Sequence, residues 1–164
     1  CAQFAEMVRA GAAAGADLVF LETMTDLYEL KAAILAAKEN CDLPVFTSMS
    51  FEARGRTFTG CTVESYAVTA AGLGADAVGI NCSSGPDQMG SVVRMMHRAA
   101  GDTPIAAKPN AGLPTITETG EAVYSMGPED FVRHMQALKA SGAALLGGCC
   151  GTTPEFIAAM RSLK

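Results

Sequence analysis

The feature that most restricts the fold of this chain is a junction that recurs three times. In each case a helical pattern ends at or beside a glycine, and a short turn leads into an apolar run. The three junctions are Ala14-Gly15-Ala16-Asp17 before Leu18–Leu21, Leu73-Gly74-Ala75-Asp76 before Ala77–Ile80, and Ser141-Gly142-Ala143-Ala144 before Leu145-Leu146. Two further apolar runs, Val45–Phe51 and Ile105–Lys108, follow prolines. Continuous apolar runs of this length are typical of strands that are buried on both faces.

Helical patterns occupy the segments between these strands. They are Ala2–Ala14, Leu27–Glu39, Val63–Leu73, Pro86–Ala100, Pro128–Ala140 and Pro154–Lys164, and Asp26 and Thr153 are predicted N-caps. Regular alternation of helices with buried strands predicts a parallel sheet covered by helices. Five such units would form an open doubly wound sheet or part of a (β/α)8 barrel. No Gly-x-Gly-x-x-Gly follows a strand, and the polar candidate residues stand at strand C-termini, so we predict an α/β fold that is an incomplete TIM barrel.

Composition excludes several classes of function. The chain has 164 residues, of which 49% are hydrophobic, enough for one domain with a sizeable core. The net charge is −5 and the 12 Lys and Arg residues are scattered, which argues against a nucleic-acid partner. No apolar run approaches the roughly 20 residues of a membrane span, and the N-terminus does not resemble a signal peptide. We therefore expect a cytoplasmic protein with no membrane partner, and the opening at Cys1 within a helical pattern suggests a piece of a longer chain.

Three of the six cysteines indicate a metal site. Cys149 and Cys150 follow the last apolar strand between glycines, and Cys82 closes the strand Ala77–Asn81. Neighbouring residues of a strand point to opposite faces, so both thiols can reach one point only where the strand ends. The flanking glycines would supply the backbone angles of such a bend. Three thiolates from two strand ends suit a zinc ion with one open coordination position.

Such a zinc site favours thiol chemistry over hydrolysis. Zinc held by three thiolates is electron-rich, and it is suited to bind an incoming thiol as a thiolate that can attack a carbon electrophile. An amino-acid thiol would also need an anion for its ammonium group and donors for its carboxylate. Glu22 after the first strand would supply the anion, and Asn110 or backbone amides would contribute the donors. Taken alone, Glu22 could be a helix cap or a solvated charge, and Asn110 a turn residue.

Several segments together resemble the homocysteine S-methyltransferase family. The resemblance rests on Gly79-Ile80-Asn81-Cys82-Ser83 and Gly147-Gly148-Cys149-Cys150-Gly151-Thr152-Thr153-Pro154, with Leu21-Glu22-Thr23, Gly55-Arg56-Thr57 through Gly60, and Pro109-Asn110-Ala111-Gly112 in family order. It covers essentially the whole chain. Within the family, the Asn81–Pro86 segment and the Asn-Ala-Gly turn are most similar to the cobalamin-dependent members.

The resemblance implies a fold, a site and a reaction. Residues 1–164 would be the C-terminal portion of a homocysteine-binding (β/α)8 barrel, roughly its last five βα units, with two open sheet edges. Cys82, Cys149 and Cys150 would bind zinc, and Glu22 and Asn110 would lie in the homocysteine pocket. The reaction would be methyl transfer to the thiol of L-homocysteine, giving methionine. The donor would be methylcobalamin on another domain or protein, and the isolated segment, lacking the opening strands, could be inactive.

Two other readings remain open from the sequence. The methyl group could come from S-methylmethionine, S-adenosylmethionine or betaine, with no corrinoid. Alternatively, the cysteines could form a structural zinc module, which would require a fourth protein ligand from Cys61 or a histidine because structural sites are normally closed. The number of protected cysteines separates these readings, since three favour catalysis and four favour structure. Otherwise Cys41 and Cys61 are expected to be ordinary half-buried or loop cysteines.

Overall fold

The computed structural model describes residues 1–52 and 54–163. Five parallel strands form the main sheet, and they lie side by side in the same order in which they occur along the chain. They are β1 (Val19–Met24), β2 (Val45–Met49), β3 (Val78–Asn81), β4 (Ile105–Lys108) and β7 (Ala143–Leu146). A doubly wound sheet has a switch point at which the strand order reverses, and this sheet has none. The order is that of an arc of a (β/α)8 barrel, as predicted.

The helices connect successive strands and agree closely with the sequence pattern. They are α1 (Ala2–Ala13), α2 (Leu27–Asn40), α3 (Val63–Gly72), α4 (Gly90–Ala99), α5 (Pro128–Ala140) and α6 (Pro154–Ala159), the last followed by a 3-10 turn at Met160–Ser162. Helix α4 begins four residues after the predicted Pro86, because the chain first makes a turn in which the Gln88 N–H donates to the Gly85 carbonyl at 3.2 Å. In the described part of the chain, no helix combines the length and apolar character needed to cross a bilayer.

The two predicted N-caps differ in their outcome. The Asp26 carboxylate accepts a hydrogen bond from the Glu29 backbone N–H at 2.9 Å, which caps α2 as predicted. Thr153 stands at the N-cap position of α6, but its hydroxyl donates to the Glu155 carboxylate and makes no bond to a backbone N–H. The cap at Thr153 was therefore predicted at the right position with the wrong contact.

The two faces of the main sheet differ in burial. On the helix side, strand residues such as Met49, Val78 and Ile105 are buried, and Tyr66, Met96 and Met135 from the helices join them in one core. On the opposite face, Phe20 and Phe46 pack edge-to-face with ring centroids 6.0 Å apart and remain partly exposed. Leu145 on the same face is 37% exposed. The helix side therefore carries the core, and the face that would line a barrel interior is open.

The segment between β4 and α5 contains a β-hairpin. Strands β5 (Pro114–Ile116) and β6 (Ala122–Tyr124) pair antiparallel, and the Thr117 N–H donates to the Glu121 carbonyl at 2.9 Å across the turn. The Met126 N–H donates to the Ala111 carbonyl at 3.3 Å, which ties the end of the hairpin to the loop after β4. The hairpin therefore lies at the end of the sheet that carries the C-termini of the strands.

Candidate functional site

Three thiols meet where β3 and β7 end. The Cys82 and Cys150 sulfurs are 3.8 Å apart, those of Cys149 and Cys150 are 3.9 Å apart, and all three lie within 4.8 Å of one another. Tetrahedral zinc with Zn–S bonds of about 2.3 Å would hold sulfurs about 3.8 Å apart. Cys82 and Cys149 are half-buried and Cys150 is exposed, so one side of the group faces solvent. The residues fit a zinc ion with three protein ligands and one open position.

Backbone hydrogen bonds between loops bring these thiols together. The Cys149 N–H donates to the Pro109 carbonyl at 2.8 Å, and the Ala111 N–H donates to the Cys150 carbonyl at 2.9 Å. The Cys82 N–H donates to the Lys108 carbonyl at 3.2 Å. The loop after β4 is therefore bonded to both cysteine-bearing segments and sets their separation.

The glycines around the vicinal pair serve two different purposes. Gly151 has φ +78°, a left-handed conformation, and a Cβ on it would lie 2.3 Å from the Cγ of the Tyr124 ring. Gly148 does not have a positive φ, but a Cβ there would lie 2.4 Å from the Thr152 hydroxyl. Only Gly151 thus supplies the unusual backbone angle that the sequence predicted for the flanking glycines, and Gly148 provides space for a close side chain.

The electrostatics of the thiol group call for a cation. Burial raises the pKa of the Cys149 thiol to about 11, a hydrogen bond from Asn81 lowers it, and the Cys82 thiol raises it again. Partial burial also raises the pKa of the Tyr124 hydroxyl, and the Cys150 thiol adds to that effect. Without a positive charge beside it, Cys149 is protonated at neutral pH. A bound metal ion would convert the thiol to a thiolate.

The two predicted substrate-binding residues make different contacts. Glu22 is in β1, and its carboxylate forms an ion pair with the Lys108 ammonium across the open face of the sheet. Lys108 also lies over the Phe20 ring, with its Nζ 4.7 Å from the centroid. Asn110 is 5% exposed, and its side-chain oxygen accepts a hydrogen bond from the Cys150 N–H at 3.1 Å. Asn110 therefore positions a metal-ligand candidate directly.

Sequence reasoning missed three residues at the site. Lys108 pairs with Glu22, the Tyr124 ring covers Gly151, and Asn81 donates to the Cys149 sulfur at 3.7 Å. The position of Asn81 beside Cys82 at a strand end was the available signal for its role. No comparable signal pointed to Tyr124, because its contact depends on the hairpin.

Comparisons with known proteins identify the family of this chain. The family described as homocysteine S-methyltransferase matches residues 1–163. A methionine synthase of Mycobacterium leprae (strain TN) is 36% identical over 149 residues, which are 87% of this chain and 12% of that protein. A methionine synthase of Mycobacterium tuberculosis (strain ATCC 25618 / H37Rv) is 35% identical over 160 residues, 92% of this chain and 13% of that protein.

Solved structures show the same fold. The homocysteine methyltransferase MmuM from Escherichia coli superposes in its apo form with a TM-score of 0.75 and 23% identity, covering 98% of this chain and 58% of that one. Its oxidised form gives a TM-score of 0.76. The chain thus spans about an eighth of the methionine synthases it matches and just over half of MmuM. With the match over residues 1–163, the chain belongs to the homocysteine S-methyltransferase family.

Proposed function

We propose that residues 1–164 are the C-terminal portion of a homocysteine-binding barrel that transfers a methyl group to the thiol of L-homocysteine, giving methionine. The observation that carries this proposal is the group of Cys82, Cys149 and Cys150, whose sulfurs have the spacing of three zinc ligands with one side open. Family membership supports the same reaction.

The chain's own residues would hold the metal and orient the substrate. When bound, zinc would supply the positive charge that keeps the substrate thiol deprotonated yet nucleophilic. The open side beside the exposed Cys150 gives homocysteine access to the site. The substrate sulfur would form a bond to the methyl carbon as the donor's bond to that carbon breaks, and the thiol proton would go to solvent.

Glu22 is proposed to bind the substrate ammonium, and Asn110 to lie in the same pocket. The Glu22 carboxylate is 37% exposed, and its ion-pair partner Lys108 is the last residue of β4. Its partner Lys108 would either be displaced by the ammonium or turn toward the substrate carboxylate, for which it offers a cation. Asn110 would contribute mainly by holding the Cys150 backbone.

We further propose methylcobalamin, bound by another domain or protein, as the methyl donor. The curated relatives at 35–36% identity are named methionine synthase. This chain matches only 12–13% of their length, so the rest of those proteins is long enough to include a donor domain. A corrinoid-free donor, namely S-methylmethionine, S-adenosylmethionine or betaine, is the alternative. With either donor, this segment would activate the homocysteine thiol in the same way, as part of a cytoplasmic enzyme.

The structural zinc module is the weaker alternative. Such a site would need a fourth protein ligand. Among residues 1–52 and 54–163, no further Cys, His, Asp or Glu joins the three cysteines. Cys61 instead donates its thiol to the Thr62 carbonyl at 3.4 Å.

Zinc content and zinc-edge X-ray absorption with and without L-homocysteine test the proposal. We expect one zinc per chain, bound to three sulfurs and a lighter atom, and a fourth sulfur when homocysteine is added. D-homocysteine and L-homoserine are matched controls, because the first changes only the stereochemistry and the second replaces sulfur by oxygen.

Two results would contradict the proposal. Four sulfurs that do not respond to homocysteine would indicate the structural module. Absence of zinc would show that this segment alone does not assemble the site, and the test would then move to the full-length protein, where absence of zinc would overturn the proposal.

A further inference from the structure

Asn81 is a fully buried polar residue at the centre of the strand ends. It is the last residue of β3 and is 0% exposed. Its side-chain oxygen accepts from the Thr23 backbone N–H at 3.1 Å and from the Ser48 hydroxyl at 2.7 Å. Its side-chain nitrogen donates to the Thr23 hydroxyl at 2.7 Å and to the Cys149 sulfur at 3.7 Å. The carboxamide therefore joins β1, β2 and the loop after β7.

The orientation of this carboxamide follows from its partners. A backbone N–H can only donate, so the Thr23 N–H must face the oxygen of Asn81. The nitrogen is then directed toward Cys149, and its two hydrogens are used by the Thr23 hydroxyl and the sulfur. A sulfur that accepts an N–H bond does so more strongly as a thiolate, so the contact favours the state in which Cys149 binds a metal.

The backbone around Asn81 is held in an unusual conformation. Thr23, Cys82 and Ser83 have φ values of +60°, +58° and +62°, in the left-handed region that non-glycine residues rarely adopt. For the β-branched Thr23 this conformation is unfavourable by on the order of 1–3 kcal/mol, so the surroundings must stabilise it. Both hydrogen bonds between Thr23 and Asn81 do so, and Thr23 is the neighbour of Glu22.

We propose that Asn81 is a positioning residue that couples the metal-binding thiols to the substrate-binding strand. Through one N–H it orients the Cys149 sulfur, and through Thr23 it fixes the irregular part of β1 that contains Glu22. The same side chain thereby sets the distance between the site of the substrate thiol and the site of the substrate ammonium. This inference rests on the proposed function and adds to it a residue with no assigned role.

The test compares three variants that each remove a different partner. Asn81→Asp keeps the size and the oxygen that faces Thr23 and Ser48, but an oxygen replaces the nitrogen whose N–H groups are directed at Cys149 and at the Thr23 hydroxyl. We expect zinc affinity, measured by competition with a chromophoric chelator, to fall about 10- to 100-fold, as is typical when a residue that orients a metal ligand is changed. Ser48→Ala removes only a bond to the oxygen, and should change zinc affinity less than about threefold.

The third variant tests the link to the substrate. Thr23→Val keeps the β-branched shape but loses the hydroxyl that Asn81 holds. We expect zinc affinity close to wild type and weaker binding of L-homocysteine to the zinc-loaded protein by titration calorimetry. Circular dichroism and the thermal midpoint are recorded for every variant, and Asn81→Ser replaces Asn81→Asp if the latter does not fold.

The outcomes separate this inference from the proposed function. If wild type binds zinc and homocysteine and Asn81→Asp matches it in both, the inference fails while the proposed function stands. If zinc affinity falls only in proportion to thermal stability, and equally in Ser48→Ala, Asn81 has a structural role alone and the inference again fails. If the wild-type full-length protein binds no zinc, both are overturned.

Discussion

At the scale of single residues, the zinc ligands make the most direct prediction. Cys149→Ala or Cys150→Ala leaves two thiols, too few to retain the ion, so zinc per chain should fall to near zero after dialysis against a mild chelator. Cys61→Ala is the matched control, because Cys61 lies outside the group but was the candidate fourth ligand of a closed site. Loss of zinc in Cys61→Ala would contradict the three-cysteine site.

Glu22 allows a second test at the same scale. Glu22→Gln removes the charge offered to the substrate ammonium, and a lost charge-assisted hydrogen bond of roughly 1.5–3 kcal/mol corresponds to at least about a tenfold weaker affinity for L-homocysteine. Zinc content should not change, because Glu22 is not among the clustered ligands. Calorimetric titration measures the affinity, and Glu52→Gln, an exposed carboxylate after β2, is the control. Equal affinity in wild type and Glu22→Gln would remove the proposed role.

The residue contacts show which parts of the site sequence could predict. Cys82, Cys149 and Cys150 were predicted to meet because C-terminal ends of parallel strands share one edge of a sheet, and the structure brings them together. The Lys108–Glu22 pair was not predicted, because it joins β4 to β1 across two intervening strands. That contact depends on curvature of the sheet, which a pattern of apolar residues does not reveal.

At the scale of secondary-structure elements, the hairpin and the cysteine loop are in direct contact. Gly151→Ala would place a methyl group 2.3 Å from the Tyr124 Cγ and also strain a residue with φ +78°. Gly120→Ala is a matched control, because Gly120 has φ +83° and a Cβ there meets nothing within 4 Å. The control should lose about 1–2 kcal/mol of unfolding free energy, and Gly151→Ala should lose more.

The same two variants show whether zinc binding depends on the contact between Gly151 and the Tyr124 ring or only on backbone strain. Chemical denaturation gives the unfolding free energies, and competition titration should show weaker zinc binding for Gly151→Ala alone. Adding Tyr124→Ala to Gly151→Ala removes the clashing ring and should restore part of the loss. Identical losses in the two glycine variants would mean that the hairpin does not press on the cysteine loop.

Asp76 gives a prediction for the dependence of stability on pH. Its carboxylate accepts from the Lys38 ammonium and from the Val45 N–H, both at 2.8 Å, and so joins the end of α2 to the starts of β2 and β3. The hydrogen bond from Lys38, then that from Val45, lowers the pKa of Asp76 below 3.8. The stabilisation is therefore fully present above about pH 4 and is lost as pH falls through the lower, folded-state pKa.

Asp76→Asn should accordingly destabilise the chain at pH 7 and have a smaller effect near pH 2. The side chain is 46% exposed, so a loss on the order of 0.2–1 kcal/mol is expected. Urea denaturation at both pH values measures it. Asp102→Asn, an exposed carboxylate in the turn before β4, is the control and should show no such difference. A loss of equal size at both pH values would contradict the role of the charge.

The elements also show where sequence patterns stop being sufficient. Helix α5 was predicted at its observed bounds, because Pro128 marks its start and Gly142 follows shortly after its end. The hairpin was missed because each of its strands has only three residues, too few to establish an alternating pattern. Its apolar side chains Ile116 and Val123 are exposed, so the hairpin does not have the continuous apolar run that marks the buried strands in the sequence.

At the scale of the whole molecule, the sheet is open in two respects. Strands β1 and β7 each have one neighbour in the described sheet, so both leave backbone groups unpaired at an edge. The face opposite the helices also exposes apolar side chains, with a groove lined by Leu18, Phe20, Phe46 and Leu145 among others. The resemblance to an incomplete barrel predicted the edges. The exposure of one face follows from the strand order and curvature together.

An open apolar face and two unpaired edges predict that the 164-residue chain associates when it is studied alone. Sedimentation velocity should show species heavier than the 16.9 kDa monomer, increasing with concentration. Leu145→Lys places a charge on the open face and should shift the chain toward monomer, because burying a lysine there is unfavourable. Val68→Lys is the matched control, since Val68 is 59% exposed on the outer helix α3, and it should sediment as wild type. If Leu145→Lys associates as strongly as wild type, the contact runs through the strand edges, and a monomer at every concentration would contradict both routes.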